Sequence, residues 1–162
     1  MTFFVQAYDT GKPKSETSKQ IAMFLAAIMT VMAVAQLFTL EEFITLIEDF
    51  ALPLGSTATA LFAPLLITFE VFSIPFLLRM RLSVAMRWCS MVFGWLMAVL
   101  WFLASLWLVT QGENVPTVGF LGTLGEIQPG WWAVYVSSAL GVLVAWASWG
   151  LWPGRKVRTH KK

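Results

Sequence analysis

The sequence predicts an all-α integral membrane protein, a four-helix bundle with both termini on the cytoplasmic side. Three observations support this: composition, four long apolar runs, and the distribution of basic residues. Of the 162 residues, 58% are hydrophobic and 12% are charged, whereas a soluble domain has about 25% charged and about 45–50% apolar residues. A chain of this length cannot hide so much apolar surface from water, so the bilayer is its expected solvent.

The four apolar runs cover about residues 21–40, 58–78, 88–110 and 131–152. As a helix rising about 1.5 Å per residue, a run of about 20 residues crosses a hydrocarbon core of about 30 Å. A helix also satisfies its backbone hydrogen bonds within one such segment. The sequence therefore predicts one transmembrane domain over residues 20–152.

The basic residues predict the orientation. All eleven Lys and Arg precede the first run, lie between the second and third, or follow the fourth. The other two connections carry only acidic charges, namely Glu41, Glu42, Glu48 and Asp49 in the first and Glu113 and Glu126 in the second. The positive-inside rule places the basic segments in the cytoplasm. We expect a multi-pass protein of the inner, or cytoplasmic, membrane.

The two ends of the chain are predicted to be polar extensions of this domain. Residues 1–19 form a cytoplasmic leader, and residues 153–162 form a basic tail close to anionic lipid headgroups. Five basic residues are a weak signal for nucleic acid, so none is expected as a partner. Ala33-Val34-Ala35 resembles a signal-peptide cleavage site. The long leader and the apolar residues after Ala35 favour a retained span.

The first predicted outer connection, EEFITLIEDFALPLG, has an amphipathic pattern. Apolar residues recur at helical spacing and acidic residues fall on other faces: Phe43, Ile44, Ile47 and Phe50 against Glu41, Glu48 and Asp49. This pattern predicts a short amphipathic helix on the outer membrane surface. The favoured interpretation is a cap that closes the bundle, and the alternative is a docking surface for a partner.

The second predicted outer connection, QGENVPTVGFLGTLGEIQPG, is rich in glycine and proline and is not expected to form a long helix. Its apolar residues indicate that it folds back onto the bundle: Val118, Phe120, Leu121, Leu124 and Ile127. Loops of this kind often close a cavity. Phe120 and Glu126 are therefore candidate functional residues of this loop.

Glu70 is the single acidic residue inside a predicted span. Because an acidic side chain at the bilayer centre costs about 2.5–3.5 kcal/mol on insertion scales, it should face the bundle interior, protonated or hydrogen-bonded. Gln36 is the expected partner, and the other candidates are Ser73, Thr68, Ser90 and Ser105. Trp101 is predicted to be a packing or lipid-facing ring. Glu70 is either a polar staple between helices or a contact for a proton, quinone or other ligand.

The remaining candidates for chemistry are few. Cys89 is the one cysteine and His160 the one histidine. A lone cysteine cannot form an intrachain disulfide or a CxxC pair, and one histidine cannot build a transition-metal site without unusual partners. We therefore expect no catalytic residues, no metal and no cofactor, with a quinone as the open possibility.

Three segments carry a resemblance to a known family. They are LFTLEEFITLIEDFALP, LLITFEVFSIPFLL followed by RMRLS, and VGFLGTLGEIQPGWWAVYVSSALGVL. Over about Ile21 to Trp152 the chain resembles the DoxX-like four-helix membrane proteins, which include the MauE and DoxD types. The third segment is similar to the MauE-type stretch in which a CGCFG motif precedes a tryptophan-containing start of helix four. Here that motif is replaced by Val118, Gly119, Phe120, Leu121 and Gly122, so no thiol remains.

The resemblance implies a role beside other proteins. MauE proteins are linked to maturation of a disulfide-rich dehydrogenase subunit, and DoxD to a thiosulfate:quinone oxidoreductase. The first hypothesis is therefore a non-catalytic accessory, assembly or maturation subunit with a membrane-protein partner or a homo-oligomeric state. The second is a quinone- or small-molecule-binding subunit of an oxidoreductase complex, centred on Glu70 and Gln36. A small transporter is the third.

Overall fold

The computed structural model describes residues 14–53, 55–111, 115–125 and 127–152. This part of the chain forms five helices: α1 Glu16–Phe38, α2 Leu40–Asp49, α3 Ser56–Leu77, α4 Val84–Gln111 and α5 Trp131–Gly150. Four of them, all but α2, are long and apolar enough to cross a membrane. The prediction of four long apolar helices is confirmed. The first 13 residues of the leader, Glu113, Glu126 and the tail 153–162 lie outside the described residues.

The four long helices form a closed ring. α1 packs against α3 and α5, while α4 packs against α3 and α5, so each long helix has two long neighbours. At one end α1 and α5 meet closely, because the backbone N–H of Lys14 donates to the carbonyl of Gly150 at 3.2 Å. A Cβ added to Gly150 would lie 2.3 Å from the Cβ of Ser18, so only glycine permits this approach.

Two helices, α1 and α4, begin about a full turn or more before the apolar runs predict. α1 begins at Glu16 because the hydroxyl of Ser15 accepts a hydrogen bond from the backbone N–H of Ser18 at 3.1 Å. The hydroxyl of Ser83 similarly accepts from the N–H of Met86 at 3.3 Å, and α4 begins at Val84. Serine caps of this kind satisfy the first free N–H groups of a helix, and a hydropathy count does not detect them.

Pro75 interrupts the hydrogen bonds of α3, and a side chain of a neighbouring helix bonds the backbone beside the break. Proline has no N–H to donate within a helix. The hydroxyl of Ser90, on α4, accepts from the N–H of Phe76 at 3.1 Å and donates to the carbonyl of Phe72. Ser90 thus holds α4 against the backbone groups beside the break, while the carbonyl that the missing N–H would have bonded is that of Val71.

We call the end of the bundle that carries α2 and residues 115–125 the capped end. α2 buries three side chains, Phe43, Leu46 and Ile47, and exposes four carboxylates, Glu41, Glu42, Glu48 and Asp49. Residues 115–125 pack beside α2: a Cβ at Gly119 would contact the Phe43 ring at 3.1 Å. The predicted return of this loop to the bundle holds for Val118 and Phe120. It is wrong for Leu124 and Ile127, which are 60% and 37% exposed after the turn at Gly122.

Large apolar side chains also cover the outside of the ring. Among the described residues Phe38 is 82% exposed, Tyr135 70% and Val142 62%. Contiguous apolar surface of this extent is typical of a protein that contacts lipid rather than water. The helices therefore have an apolar face towards the bilayer and a packed face towards the interior.

Candidate functional site: a buried carboxyl beneath a docked loop

Glu70 lies inside the ring, on the face of α3 that packs against α1 and α4. Its side chain is 0% exposed. The indole N–H of Trp101 donates to its Oε1 at 2.9 Å, and the Nε2 amide of Gln36 donates to the same oxygen at 3.3 Å. The contact that the sequence predicts between Gln36 and Glu70 is present, and it joins three helices at one carboxyl oxygen.

Gln36 also links this carboxyl to the capped end. Its Nε2 donates a second hydrogen bond to the backbone carbonyl of Phe120 at 3.0 Å. The ring of Phe120 packs on Trp101 with a centroid separation of 4.7 Å. Because one amide contacts both groups, the position of the loop and the environment of Glu70 depend on the same side chain.

The loop approaches Gln36 this closely because of a glycine. Gly122 has a φ of +59°, and a Cβ there would lie 2.3 Å from Oγ1 of Thr39 and 3.2 Å from the Cα of Gln36. The backbone N–H of Thr123 donates to Oγ1 of Thr39 at 3.3 Å. The hydroxyl of Thr123 donates to Oε2 of Glu42 at 2.6 Å. These contacts dock the loop onto the junction between α1 and α2.

Three buried polar atoms of this region have no hydrogen-bond partner in the structure: Oε2 of Glu70, Oε1 of Gln36 and Oγ of Ser105. The first two are acceptors on side chains that already contact each other. Ser105 follows Trp101 by one helical turn, on the same buried face of α4. The arrangement suits a species that supplies a hydrogen-bond donor. Among the described residues no group of three His, Cys, Asp or Glu side chains is placed to hold a metal ion.

The other polar residues predicted near Glu70 have different contacts. The hydroxyl of Ser73 donates to the backbone carbonyl of Glu70 at 2.7 Å and also contacts Sδ of Met29 at 2.9 Å. Thr68 donates to the carbonyl of Pro64 at 2.7 Å and is exposed. The hydroxyl of Ser90 forms hydrogen bonds with the backbone next to Pro75. Ser73 thus supports the backbone of the site, and its hydrogen bonds do not involve the carboxyl group.

Two adjoining cavities open at the capped end. One, of about 370 Å³, lies between Leu52 and Phe62 on one side and Leu103 and Trp107 on the other. The second, of about 380 Å³, is lined by Glu48 and shares Leu52 with the first. The indole N–H of Trp107 donates to the carbonyl of Phe50 at 3.0 Å, which fixes one wall. The candidate carboxylate Glu48 therefore lines the second cavity, which adjoins the apolar one at Leu52.

Sequence reasoning missed the role of Trp101. It is 0% exposed and supplies the shorter hydrogen bond to Glu70. The signal was available in its neighbours, because small residues lie on the same face of α4 one turn to either side: Ala98, Ala104 and Ser105. Small residues allow close helix contact and mark an interior face.

The chain matches no family model, no curated protein and no solved structure.

Proposed function

We propose that this protein is a non-catalytic accessory subunit of the inner membrane that assists assembly or maturation of a partner membrane protein. One observation carries the proposal: Glu70 is fully enclosed and receives its hydrogen bonds from α1 and α4. A carboxyl in this position stabilises helix packing and has no contact with a substrate outside the bundle. The surface available for function is then the capped end.

We place the capped end on the outer side of the membrane, with both termini in the cytoplasm. The support is the charge distribution, since all Lys and Arg lie in the leader, in residues 79–87 and in the tail. In this orientation α2 is an amphipathic helix along the outer surface. Phe43 and Ile47 face the bundle, and Glu41, Glu48 and Asp49 face water.

The partner surface that we propose combines the exposed carboxylates of α2 with the groove between Leu52 and Leu103. A partner helix would fill the groove, and a basic residue of the partner would meet Glu48. A second copy of this chain in the same orientation offers no basic residue on that side, because its outer connections have none. Charge complementarity therefore favours a different membrane protein over a homo-oligomer.

The DoxX-like resemblance agrees with this role and limits it. MauE and DoxD proteins act beside dehydrogenase or oxidoreductase subunits, which fits an accessory function. The positions of the CGCFG cysteines are occupied by Val118 and Phe120. We therefore propose a role based on contacts of the docked loop and α2, without thiol chemistry.

Extraction in a mild detergent tests the partner surface. The wild-type protein should elute with a stoichiometric partner at the mass of the complex. Leu103→Trp fills the groove, and Glu48→Lys reverses the charge at position 48. Both variants should therefore release the partner. Val142→Trp is the matched control, because Val142 is 62% exposed on α5. A wild-type protein that elutes as a monomer, or equal retention by Leu103→Trp and Val142→Trp, would contradict the proposal.

Cysteine labelling in intact cells tests the orientation. In a Cys89→Ser background, Leu124→Cys places a thiol on the exposed part of the loop, where Leu124 is 60% exposed. A membrane-impermeant maleimide should label this position and leave a cysteine added at the C-terminus unlabelled until the cells are opened. Labelling of the C-terminal cysteine in intact cells contradicts cytoplasmic termini.

A quinone- or small-molecule-binding subunit is the second candidate. It is favoured by the two unpartnered acceptors, Oε2 of Glu70 and Oε1 of Gln36. To reach these two oxygens, a ligand hydroxyl would have to pass the packed rings of Trp101 and Phe120. Glu70→Gln would then abolish ligand-dependent activity while the protein stays folded. In an accessory subunit the same variant should leave function unchanged.

A further inference from the structure

The unpartnered oxygens of Glu70 and Gln36 belong to two side chains that are already joined. Nε2 of Gln36 donates to Oε1 of Glu70 at 3.3 Å, while Oε1 of Gln36 and Oε2 of Glu70 are buried without a donor. The orientation of the Gln36 amide is fixed by the loop, since Nε2 also donates to the carbonyl of Phe120 at 3.0 Å. A reversed amide would set its own oxygen against that carbonyl.

One proton on Glu70 would satisfy both oxygens. An ionised carboxylate only accepts hydrogen bonds, whereas a carboxylic acid also has one O–H donor. With the proton on Oε2, Glu70 can donate to Oε1 of Gln36 while Oε1 of Glu70 accepts from Nε2. A carboxylic acid and a primary amide form this two-bond ring readily, because each group offers one donor and one acceptor side by side. We call this arrangement the acid–amide pair.

In the part of the chain that the structure describes, no basic side chain is buried beside Glu70 to replace that proton. Among the described residues the buried polar side chains other than Glu70 are neutral, namely Gln36 and nine hydroxyl-bearing residues: Ser18, Thr59, Ser73, Ser83, Ser90, Ser105, Thr117, Ser137 and Ser148. α1 contributes Gln36, α4 contributes Trp101, and the loop contributes the carbonyl of Phe120. The described charged groups of α2, packed against α3, are carboxylates, and they are exposed. An isolated ionised carboxylate in such a site is strongly disfavoured.

We propose that Glu70 is a proton-binding site, and that the bound proton completes an acid–amide pair with Gln36 that holds the loop at Phe120. Loss of the proton sets two acceptors, Oε2 of Glu70 and Oε1 of Gln36, against each other. The Gln36 amide then has to move, and its hydrogen bond to Phe120 is lost with it. Docking of the loop is thus coupled to proton occupancy inside the bundle, independently of the partner proposed above.

Infrared spectroscopy tests the proton directly. At neutral pH the exposed carboxylates are ionised, so the carbonyl band of a protonated carboxylic acid reports buried groups. The purified wild-type protein should show this band, Glu70→Gln should lose it, and Glu48→Gln should keep it. Identical spectra for the wild type and Glu70→Gln would overturn the proposal, because Glu70 would then be ionised and its free oxygen satisfied by water or a cation.

The variant is chosen to preserve the fold. A glutamine at position 70 offers an N–H to Oε1 of Gln36 and a carbonyl to Trp101, so it imitates the protonated acid. If Glu70→Gln nevertheless fails to fold, the wild-type protein with ¹³C-labelled glutamate replaces it. The acid band at neutral pH should then shift with the label, and absence of a shifting band overturns the proposal.

A spin label on the loop tests the coupling. Leu124→Cys in a Cys89→Ser background carries the label at an exposed position. Its mobility should rise as the pH is raised from neutral to alkaline, and Glu70→Gln should remove this response. An equal pH response in both proteins, or a response to sodium concentration at constant pH, contradicts proton-dependent docking of the loop.

Discussion

Two sites on α3, at Glu70 and at Pro75, bury hydrogen-bonding groups inside the bundle, and they satisfy these groups to different extents. At Pro75 a single hydroxyl of Ser90 accepts from the N–H of Phe76 and donates to the carbonyl of Phe72. At Glu70 two donors converge on Oε1 and leave Oε2 without a partner. A hydroxyl both donates and accepts, while an ionised carboxylate only accepts.

The Ser90 hydroxyl keeps both of its hydrogen bonds whatever the pH. The hydrogen bonds of the Glu70 carboxyl depend on whether it carries a proton. The Ser90 contact needs nothing beyond the two helices, so its role is to hold α3 against α4. The Glu70 contact is complete only when a proton is present, and it extends through Gln36 to the loop. Substitutions that remove hydrogen-bonding groups at each site sharpen this comparison.

Glu70→Ala should have the largest effect. It leaves the indole N–H of Trp101 buried without an acceptor and opens a cavity, which together should lower the free energy of unfolding by about 2–3 kcal/mol. Glu70→Gln, which retains an acceptor for Trp101, should remain close to the wild type. Thermal unfolding in detergent, followed by tryptophan fluorescence, measures the difference. Equal losses in both variants would mean that hydrogen bonding at position 70 is unimportant.

Gly122→Ala should weaken the loop end of the Glu70 site without changing any polar group. A residue with a Cβ is strained at a φ of +59°, and the Cβ meets Oγ1 of Thr39 at 2.3 Å. We expect a loss of about 2 kcal/mol and faster amide exchange in residues 117–125. Gly125→Ala is the control, because its nearest neighbour atom would lie at 3.5 Å. Hydrogen-exchange mass spectrometry would refute the prediction if both variants exchange alike.

Ser90→Ala tests the site at Pro75. It removes one donor and one acceptor at the proline break, and the expected loss is about 1 kcal/mol, since interhelical hydrogen bonds in membranes average about 0.6 kcal/mol each. Ser138→Ala is the matched control, because the Ser138 hydroxyl donates only to the carbonyl of Val134 within α5. The unfolding temperature of Ser90→Ala should fall without acquiring a pH dependence. A pH-dependent loss would remove the distinction between the two sites.

The smallest expected effect lies at the surface of the capped end. Thr123 donates to Glu42 at 2.6 Å in an exposed position. A double-mutant cycle of Thr123→Val and Glu42→Gln should give a coupling energy of about 0.5 kcal/mol. A coupling above about 2 kcal/mol would show that this surface contact, rather than Gln36, holds the loop.

Much of the fold follows from the sequence, because only lipid can solvate apolar runs of this length. The boundaries were less accurate, since Ser15 and Ser83 add polar first turns that hydropathy does not register. Spacing alone predicts a helix after the first span, and the structure has α2 there. Whether α2 lies on the outer surface stays a prediction.

The site was predicted in part. Gln36 could be paired with Glu70 because polar residues are rare within the spans. The small neighbours of Trp101 mark its face of α4 as interior, but its hydrogen bond to Glu70 and that of Gln36 to the carbonyl of Phe120 could not be assigned from sequence. A hydropathy value does not show which acceptor an indole N–H meets, and a backbone carbonyl has no sequence signature, so both contacts depend on how the ring and the loop are packed.

The contact between Lys14 and Gly150 has a consequence for engineering. The first and last helices are neighbours in a closed ring, so a short linker from residue 152 to residue 14 would join them without disturbing either. New ends opened between α3 and α4, at residues 78–83, would then yield a circular permutant with the same ring. The order in which the four helices are synthesised is thus separable from the order in which they pack.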